Sequence, residues 1–170
     1  LSPDAIVATS ASGLMLSEMQ VGWKNPGRFL LGHPFNPPHL IPLVEIMDNE
    51  RTDAGVADAA DRFYTGIGKI TIRVRREVPG HVANRLQAAI WREAIHLVSS
   101  GVATLEDVDK AVWAGPGLRW AALGPNLLFH LGGGEGGLAA FCDRYFDSFN
   151  RWWEDLGVLQ FDPALVQNHF

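Results

Sequence analysis

The sequence predicts an α/β layer followed by an all-helical region. Three observations predict it. Short apolar runs bounded by Gly, Pro and polar residues recur up to about residue 76. One helical pattern separates two of those runs, which is the alternation of an α/β layer. Beyond residue 76 the apolar residues recur at helical spacing to the end of the chain. The expected division is therefore 1–76 for the α/β part and 77–170 for the helical part.

Four runs read as strands: Ala5–Thr9, Phe29–His33, Leu43–Met47 and Lys69–Val74. A helix is expected over Thr52–Thr65, ahead of the last of them. Pro79 reads as a first-turn proline. Val82, Leu86, Ala89, Ile90, Leu97 and Val98 then form one helical face, which Gly101 terminates. Thr104 followed by Asp107 reads as an N-cap for a helix over Leu105–Trp113. Further helices are expected over Trp120–Leu131 and Leu138–Leu156. Phe141, Tyr145, Phe149 and Trp152 fall on one side of the last.

Composition narrows the function classes. The chain has 170 residues, enough for one or two domains with a real core. It is 47% hydrophobic and 19% charged, an ordinary balance for a globular protein. The net charge of -5 argues against nucleic acid or an anionic membrane as the main partner. No apolar run reaches the roughly 20 residues that span a bilayer, and no secretory signal is read at the start. Cys142 is the single cysteine, so an intrachain disulfide is impossible and a reducing, cytoplasmic compartment is expected. Leu1 opens the chain in what reads as the interior of a domain, so a part lost upstream is expected.

The most informative pair is His33 and Glu45, in GHPFNPPHLIPLVEIM. The histidine ends one apolar run and the glutamate interrupts the next. A carboxylate inside a buried strand is costly without a partner. An imidazole is a suitable one, and a His–Glu pair is a common general-base arrangement. The pair could equally be a salt bridge that ties two strands together. His33, His39 and Glu45 are not expected to hold a metal, because Pro37 and Pro38 oppose a shared face. His96, His130 and His169 show no ligand spacing.

Three motifs resemble the L-3-hydroxyacyl-CoA dehydrogenase family over nearly the whole chain. They are ATSASGL at Ala8–Leu14, HPFNPPHLIPLVEI at His33–Ile46, and PGHVANRL at Pro79–Leu86. The resemblance implies the later part of a Rossmann-type NAD-binding domain, then the family's helical domain. It implies His33 as the catalytic base, Glu45 as its orienting partner, and Ser12 and Asn84 as hydrogen-bonding partners of the reacting oxygen. It places Ser10 and Asn36 near the nicotinamide side of NAD. Taken alone, Ser10 and Ser12 would read as loop solvation, Asn36 as turn formation and Asn84 as first-turn capping.

The family's Gly-rich NAD turn has no counterpart after any early strand here. The GGGEGG run at Gly132–Gly137 lies between helices, carries Glu135, and reads as a flexible connector. The chain is thus expected to carry the catalytic half of the site and to bind NAD weakly or not at all by itself. Its α/β sheet is expected to be incomplete, with an exposed edge. The stretch GPGLRWAALGPNLLFHL at Gly115–Leu131 and CDRY at Cys142–Tyr145 resemble the branch that contains L-gulonate 3-dehydrogenase and carnitine 3-dehydrogenase. On that branch the substrate is a free 3-hydroxy acid. Arg119 is then a candidate carboxylate ligand, or else a surface arginine at a helix start. Trp120 is a candidate cation–π partner or a core residue.

The expectation is thus an NAD-dependent dehydrogenase of a 3-hydroxy acid or 3-hydroxyacyl-CoA, acting on a small molecule and pairing as a homodimer. The alternative is a non-catalytic structural or dimerisation relative that keeps the fold.

Overall fold

Strands β2 (Phe29–Pro34) and β3 (Leu43–Met47) pair antiparallel at the centre of a four-stranded mixed sheet. The computed structural model describes residues 1–160 and 162. Strand β1 (Val7–Thr9) runs parallel to β2, and β4 (Ile70–Arg73) runs parallel to β3, so the sheet order is β1-β2-β3-β4. The short helix α1 (Leu16–Met19) and two 3-10 turns make the first crossover. Helix α2 (Val56–Gly66) makes the second.

The period of two along each strand sorts the core into two faces. Leu30, Val44 and Ile46 pack with Val56, Ala57 and Ala60 of α2. Phe29, Leu31 and Met47 pack with Leu16 of α1 and with Val74. His33 continues the second face of β2, and Glu45 continues the same face of β3.

A buried polar knot closes the far end of this layer. Gln20 is 1% exposed. Its amide donates to the carbonyls of Pro26 and Phe29 at 3.2 and 3.3 Å, and its oxygen accepts from Asn49 at 2.7 Å.

Two compact units divide the chain, Leu1–Gln87 and Ala88–Phe170. Helix α3 (Ala83–Ser99) begins in the first unit. The second unit holds α4 (Leu105–Ala114), α5 (Pro116–Ala122), α6 (Pro125–Gly132) and α7 (Gly137–Asp155). Thr104 caps α4 as expected, its hydroxyl accepting from the Asp107 amide at 3.1 Å. Phe129 stacks on Phe141 with centroids 4.7 Å apart, and Phe141, Tyr145, Phe149 and Trp152 share one side of α7. With Arg119 they line a cavity of about 440 Å³.

Several boundaries differ from the sequence expectation. The helix expected over Trp120–Leu131 is two helices, broken at Leu123–Gly124. Pro125 opens the second, and the residue before a proline is pushed out of the helical region; Gly124 sits at φ -61°, ψ 155°. Pro79 lies outside α3, because Gly80 and His81 take positive φ and form a turn before the helix starts. Helix α2 starts at Val56, not Thr52, because Asn49, Thr52 and Asp53 are engaged in a turn. The Gly-rich run is a tight connector between α6 and α7. A Cβ on Gly133 would overlap the Gly137 carbonyl oxygen, and one on Gly137 would meet the His130 ring. His169 lies outside the described residues.

Gly32 has a different reason to be glycine. It sits beside His33 on β2, where a Cβ would lie 2.6 Å from Tyr64 Oη and 3.1 Å from the Ala8 Cβ. Burial raises the pKa of that Tyr64 phenol. We expect Gly32→Ala to destabilise the first unit by about 1–3 kcal/mol through overpacking, read from urea denaturation. Tyr64→Leu in the same chain should recover part of the loss. An additive loss in the double variant would contradict the clash.

Candidate active site

His33 and Glu45 are direct cross-strand partners in the β2–β3 register. Being on the same face, their side chains meet: His33 Nδ1 lies 2.9 Å from Glu45 Oε2. A carboxylate only accepts, so the Nδ1–H donates and Nε2 presents its lone pair. The Ser12 hydroxyl lies 2.8 Å from that Nε2. Ser12 is exposed, whereas His33 is 5% and Glu45 0% exposed. The proton-accepting nitrogen therefore faces the accessible end of the set, and the carboxylate sits beneath it.

Glu45 has its other oxygen satisfied by the main chain. Oε1 accepts from the amides of Val82 and Ala83 at 2.9 and 3.0 Å. These amides stand at the start of α3, where N–H groups have no partner inside the helix and the helix dipole favours a negative charge. Three donors around one buried carboxylate offset the cost of removing it from water.

The loop that carries Ser12 leaves the end of β1. The Ala11 amide donates to Thr9 Oγ1 at 3.2 Å, a local turn that starts the loop. The Ala11 carbonyl lies 3.2 Å from Nε2 of His81. His81 is 2% exposed, and its ring meets His33 edge-on at a centroid distance of 5.2 Å. Sequence reasoning quoted the PGHVANRL motif and passed over His81. The available signal was a histidine directly after the motif's glycine.

The other sequence candidates are placed as follows. Asn84 is the second residue of α3 and is half-buried, with its Cβ close to Gly80. Ser10 and Asn36 are exposed just beyond β1 and β2. Because those strands are parallel, both residues stand past the carboxyl ends, where ligands of such sheets bind. Polar, accessible side chains at that edge fit the nicotinamide part of NAD. Arg119 belongs to the second unit, on α5, exposed at the rim of the aromatic cavity. The Trp120 indole nitrogen is buried without a hydrogen-bond partner, which suits a packing role better than an exposed cation–π face. Among the described residues, no His, Cys, Asp or Glu cluster has the makings of a metal site.

A mixed α/β layer followed by a helical unit makes a Rossmann-like framework, and its buried His–Glu pair under an exposed serine is an arrangement able to accept a proton. Comparison with known proteins agrees. The family model described as "3-hydroxyacyl-CoA dehydrogenase, NAD binding domain" matches residues 1–78, and "3-hydroxyacyl-CoA dehydrogenase, C-terminal domain" matches residues 80–159. The chain belongs to the 3-hydroxyacyl-CoA dehydrogenase family.

Relatives named L-carnitine dehydrogenase include one from Nocardiopsis dassonvillei, 51% identical over 94% of this chain and 49% of its own length. One from Streptomyces coelicolor is 48% identical over 96% of this chain and 51% of its own. This chain thus spans about half the length of the curated relatives it matches. Among solved structures, 5-formyl-3-hydroxy-2-methylpyridine 4-carboxylic acid 5-dehydrogenase, an NAD-dependent dismutase, superposes with a TM-score of 0.85. It is 32% identical and covers 96% of this chain and 50% of that one. Mycobacterium tuberculosis FadB2 gives 0.68 at 32% identity, covering 98% and 55%.

The geometry yields a stability prediction. Glu45→Leu strips the acceptor from an imidazole and two helix-start amides, and should cost about 3–5 kcal/mol, the scale for removing one partner of a buried polar pair. Glu45→Gln keeps one carbonyl for the amides and should cost clearly less. Urea denaturation of the three proteins measures the order. A Glu45→Leu chain as stable as wild type would show that the carboxylate is not needed by the fold.

Proposed function

We propose that this chain carries the proton-transfer machinery of an NAD-dependent dehydrogenase that oxidises the 3-hydroxyl of a free 3-hydroxy acid, with L-carnitine as the substrate to test first. One observation carries the reading: the unbroken run of contacts from exposed Ser12 through His33 to buried Glu45. The relatives named L-carnitine dehydrogenase support the substrate.

A secondary alcohol gives up hydride readily only if its hydroxyl proton leaves as well. In our reading the substrate hydroxyl takes the place beside His33 Nε2 that Ser12 Oγ holds now. Nε2 accepts the proton, and Glu45 stabilises the imidazolium through Nδ1–H. Ser12 and Asn84 hydrogen-bond the same oxygen and stabilise the charge that develops on it. NAD supplies the hydride acceptor, and Ser10 and Asn36 would hold its nicotinamide side. Arg119 would grip the substrate carboxylate with its planar fork.

We also propose a homodimer in the cytoplasm. Among the described residues of the second unit, Ile95 and Val108 are the buried hydrophobics of the core, while Trp113, Leu118, Phe146, Trp153 and Val158 are exposed. An apolar surface of that extent calls for a cover. Sedimentation equilibrium should return twice the chain mass, and a monomer would contradict the pairing. No described helix is long and apolar enough to cross a membrane, and the free Cys142 suits a reducing compartment.

The order Ser–His–Glu also matches a nucleophilic acyl-transfer set. Covalent labelling of Ser12 by an alkyl phosphonate would favour that second reading.

The main test uses the complete polypeptide that contains these residues. His33→Gln should abolish NADH formation and leave NAD binding intact. Arg119→Ala should raise the KM for L-carnitine and spare kcat, the signature of a uniform binding contact. L-carnitine, L-gulonate and 3-hydroxybutyryl-CoA are assayed side by side. Preference for the CoA thioester with a neutral Arg119→Ala would overturn the free-acid reading, and full activity in His33→Gln would overturn the mechanism.

A further inference from the structure

His81 has a backbone conformation that its side chain must justify. Its φ is 51°, and among the described residues it alone has positive φ without being glycine; Gly80 before it has φ 75°. An L-residue in that region costs about 1–2 kcal/mol relative to the right-handed one, and glycine would occupy it freely. The ring is also costly where it sits. It is 2% exposed, and its Nδ1 is buried without a hydrogen-bond partner. A phenyl ring would fill the same space with no orphaned polar atom. A residue chosen for packing or for the turn would be phenylalanine or glycine.

What the imidazole alone supplies is a donor, added to the ring contact and the turn. A carbonyl oxygen only accepts, so the 3.2 Å contact to Ala11 makes His81 Nε2 the donor. That bond holds the backbone one residue before Ser12. The ring edge packs on His33 at 5.2 Å with planes 61° apart. The left-handed turn at Gly80–His81 leads into the two amides that Glu45 accepts. One residue thus reaches the serine loop, the histidine ring and the chain that satisfies the glutamate.

We infer that His81 is a positioning residue for proton transfer: it clamps the Ala11 carbonyl so that the Ser12 loop stays beside the Nε2 edge of His33, with the Ser12 hydroxyl in reach of an oxygen held there. The inference rests on the dehydrogenase reading for its kinetic consequence, but its structural consequence stands apart from it. Ser12 lies on an exposed loop outside the sheet, and the clamp ties it to the third motif, PGHVANRL. Misplacing a reacting group by about 1 Å is enough to lose about a hundredfold in rate.

Two variants separate positioning from mere support. His81→Gly removes the ring and relieves the positive φ. His81→Phe keeps ring and turn and removes only the donor. In the 15N-labelled chain, the heteronuclear NOE of the Ala11 and Ser12 amides should fall in both variants, while the amides of β2 and β3 keep wild-type values. The Tm of His81→Gly should stay level or rise. In the complete polypeptide, kcat should fall about tenfold or more in both, with the KM for NAD unchanged. Wild-type NOE values at Ala11 and Ser12 in either variant would overturn the clamp. So would a His81→Gly kcat loss matched by a fall in Tm and by loosening of β2 and β3. If the wild-type polypeptide oxidises no 3-hydroxy acid, the dehydrogenase reading falls, and the NOE comparison still decides the clamp.

Discussion

The buried carboxylate of Glu45 is the constraint around which the first unit is arranged. A charge taken fully out of water must be surrounded by donors, or the strand that holds it cannot stay buried. The three donors come from two places distant in sequence: the Nδ1–H of His33 on the adjacent strand, and the amides of Val82 and Ala83 at the start of α3. Satisfying one carboxylate therefore fixes the β2–β3 register, the tautomer of the imidazole and the entry point of the long helix. The same arrangement leaves Nε2 as the free acceptor. In the proposed mechanism stability and chemistry rest on the same hydrogen bonds, so a change at Glu45 would be felt in both.

The face of the sheet on which this happens follows from the strand period. Phe29, Leu31 and Met47 build the apolar floor on that side, and His33 and Glu45 are the next steps along the same rows. The site thus stands on the most buried strands of the sheet, while its reactive end opens through the exposed Ser12 loop. Rigid support below and access above are what a base needs to move a proton without moving itself.

Much of this was legible in the residues. Short apolar runs placed the four strands to within about two residues, because strands buried on both faces leave few polar positions. The Gly-rich run showed its position between helices, and Thr104 with Asp107 showed a cap. The pairing of His33 with Glu45 was legible as a chemical need, a carboxylate requiring a partner, though alternation alone does not set which residues face each other across β2 and β3. Other features were hidden. The break at Gly124–Pro125 was written in the proline and outweighed by the apolar run around it. The left-handed turn at Gly80–His81 depends on tertiary contacts, since nothing local makes a histidine adopt positive φ. His81 carried only a weak signal, a histidine after the motif's glycine, because its contact is with Ala11, which is 70 positions earlier. Arg119 and Trp120 were singled out separately, and the structure makes them a rim residue and an indole with a buried nitrogen.

The central claim is that Glu45 holds the proton on Nδ1 of His33 and leaves Nε2 free to accept one. Long-range 1H–15N correlation of the histidine rings measures this directly in the chain itself. The account predicts that the neutral His33 ring is a single tautomer with Nδ1 protonated and Nε2 bare, and that Glu45→Gln mixes the two tautomers. A neutral ring protonated at Nε2, or a tautomer indifferent to Glu45→Gln, would contradict it.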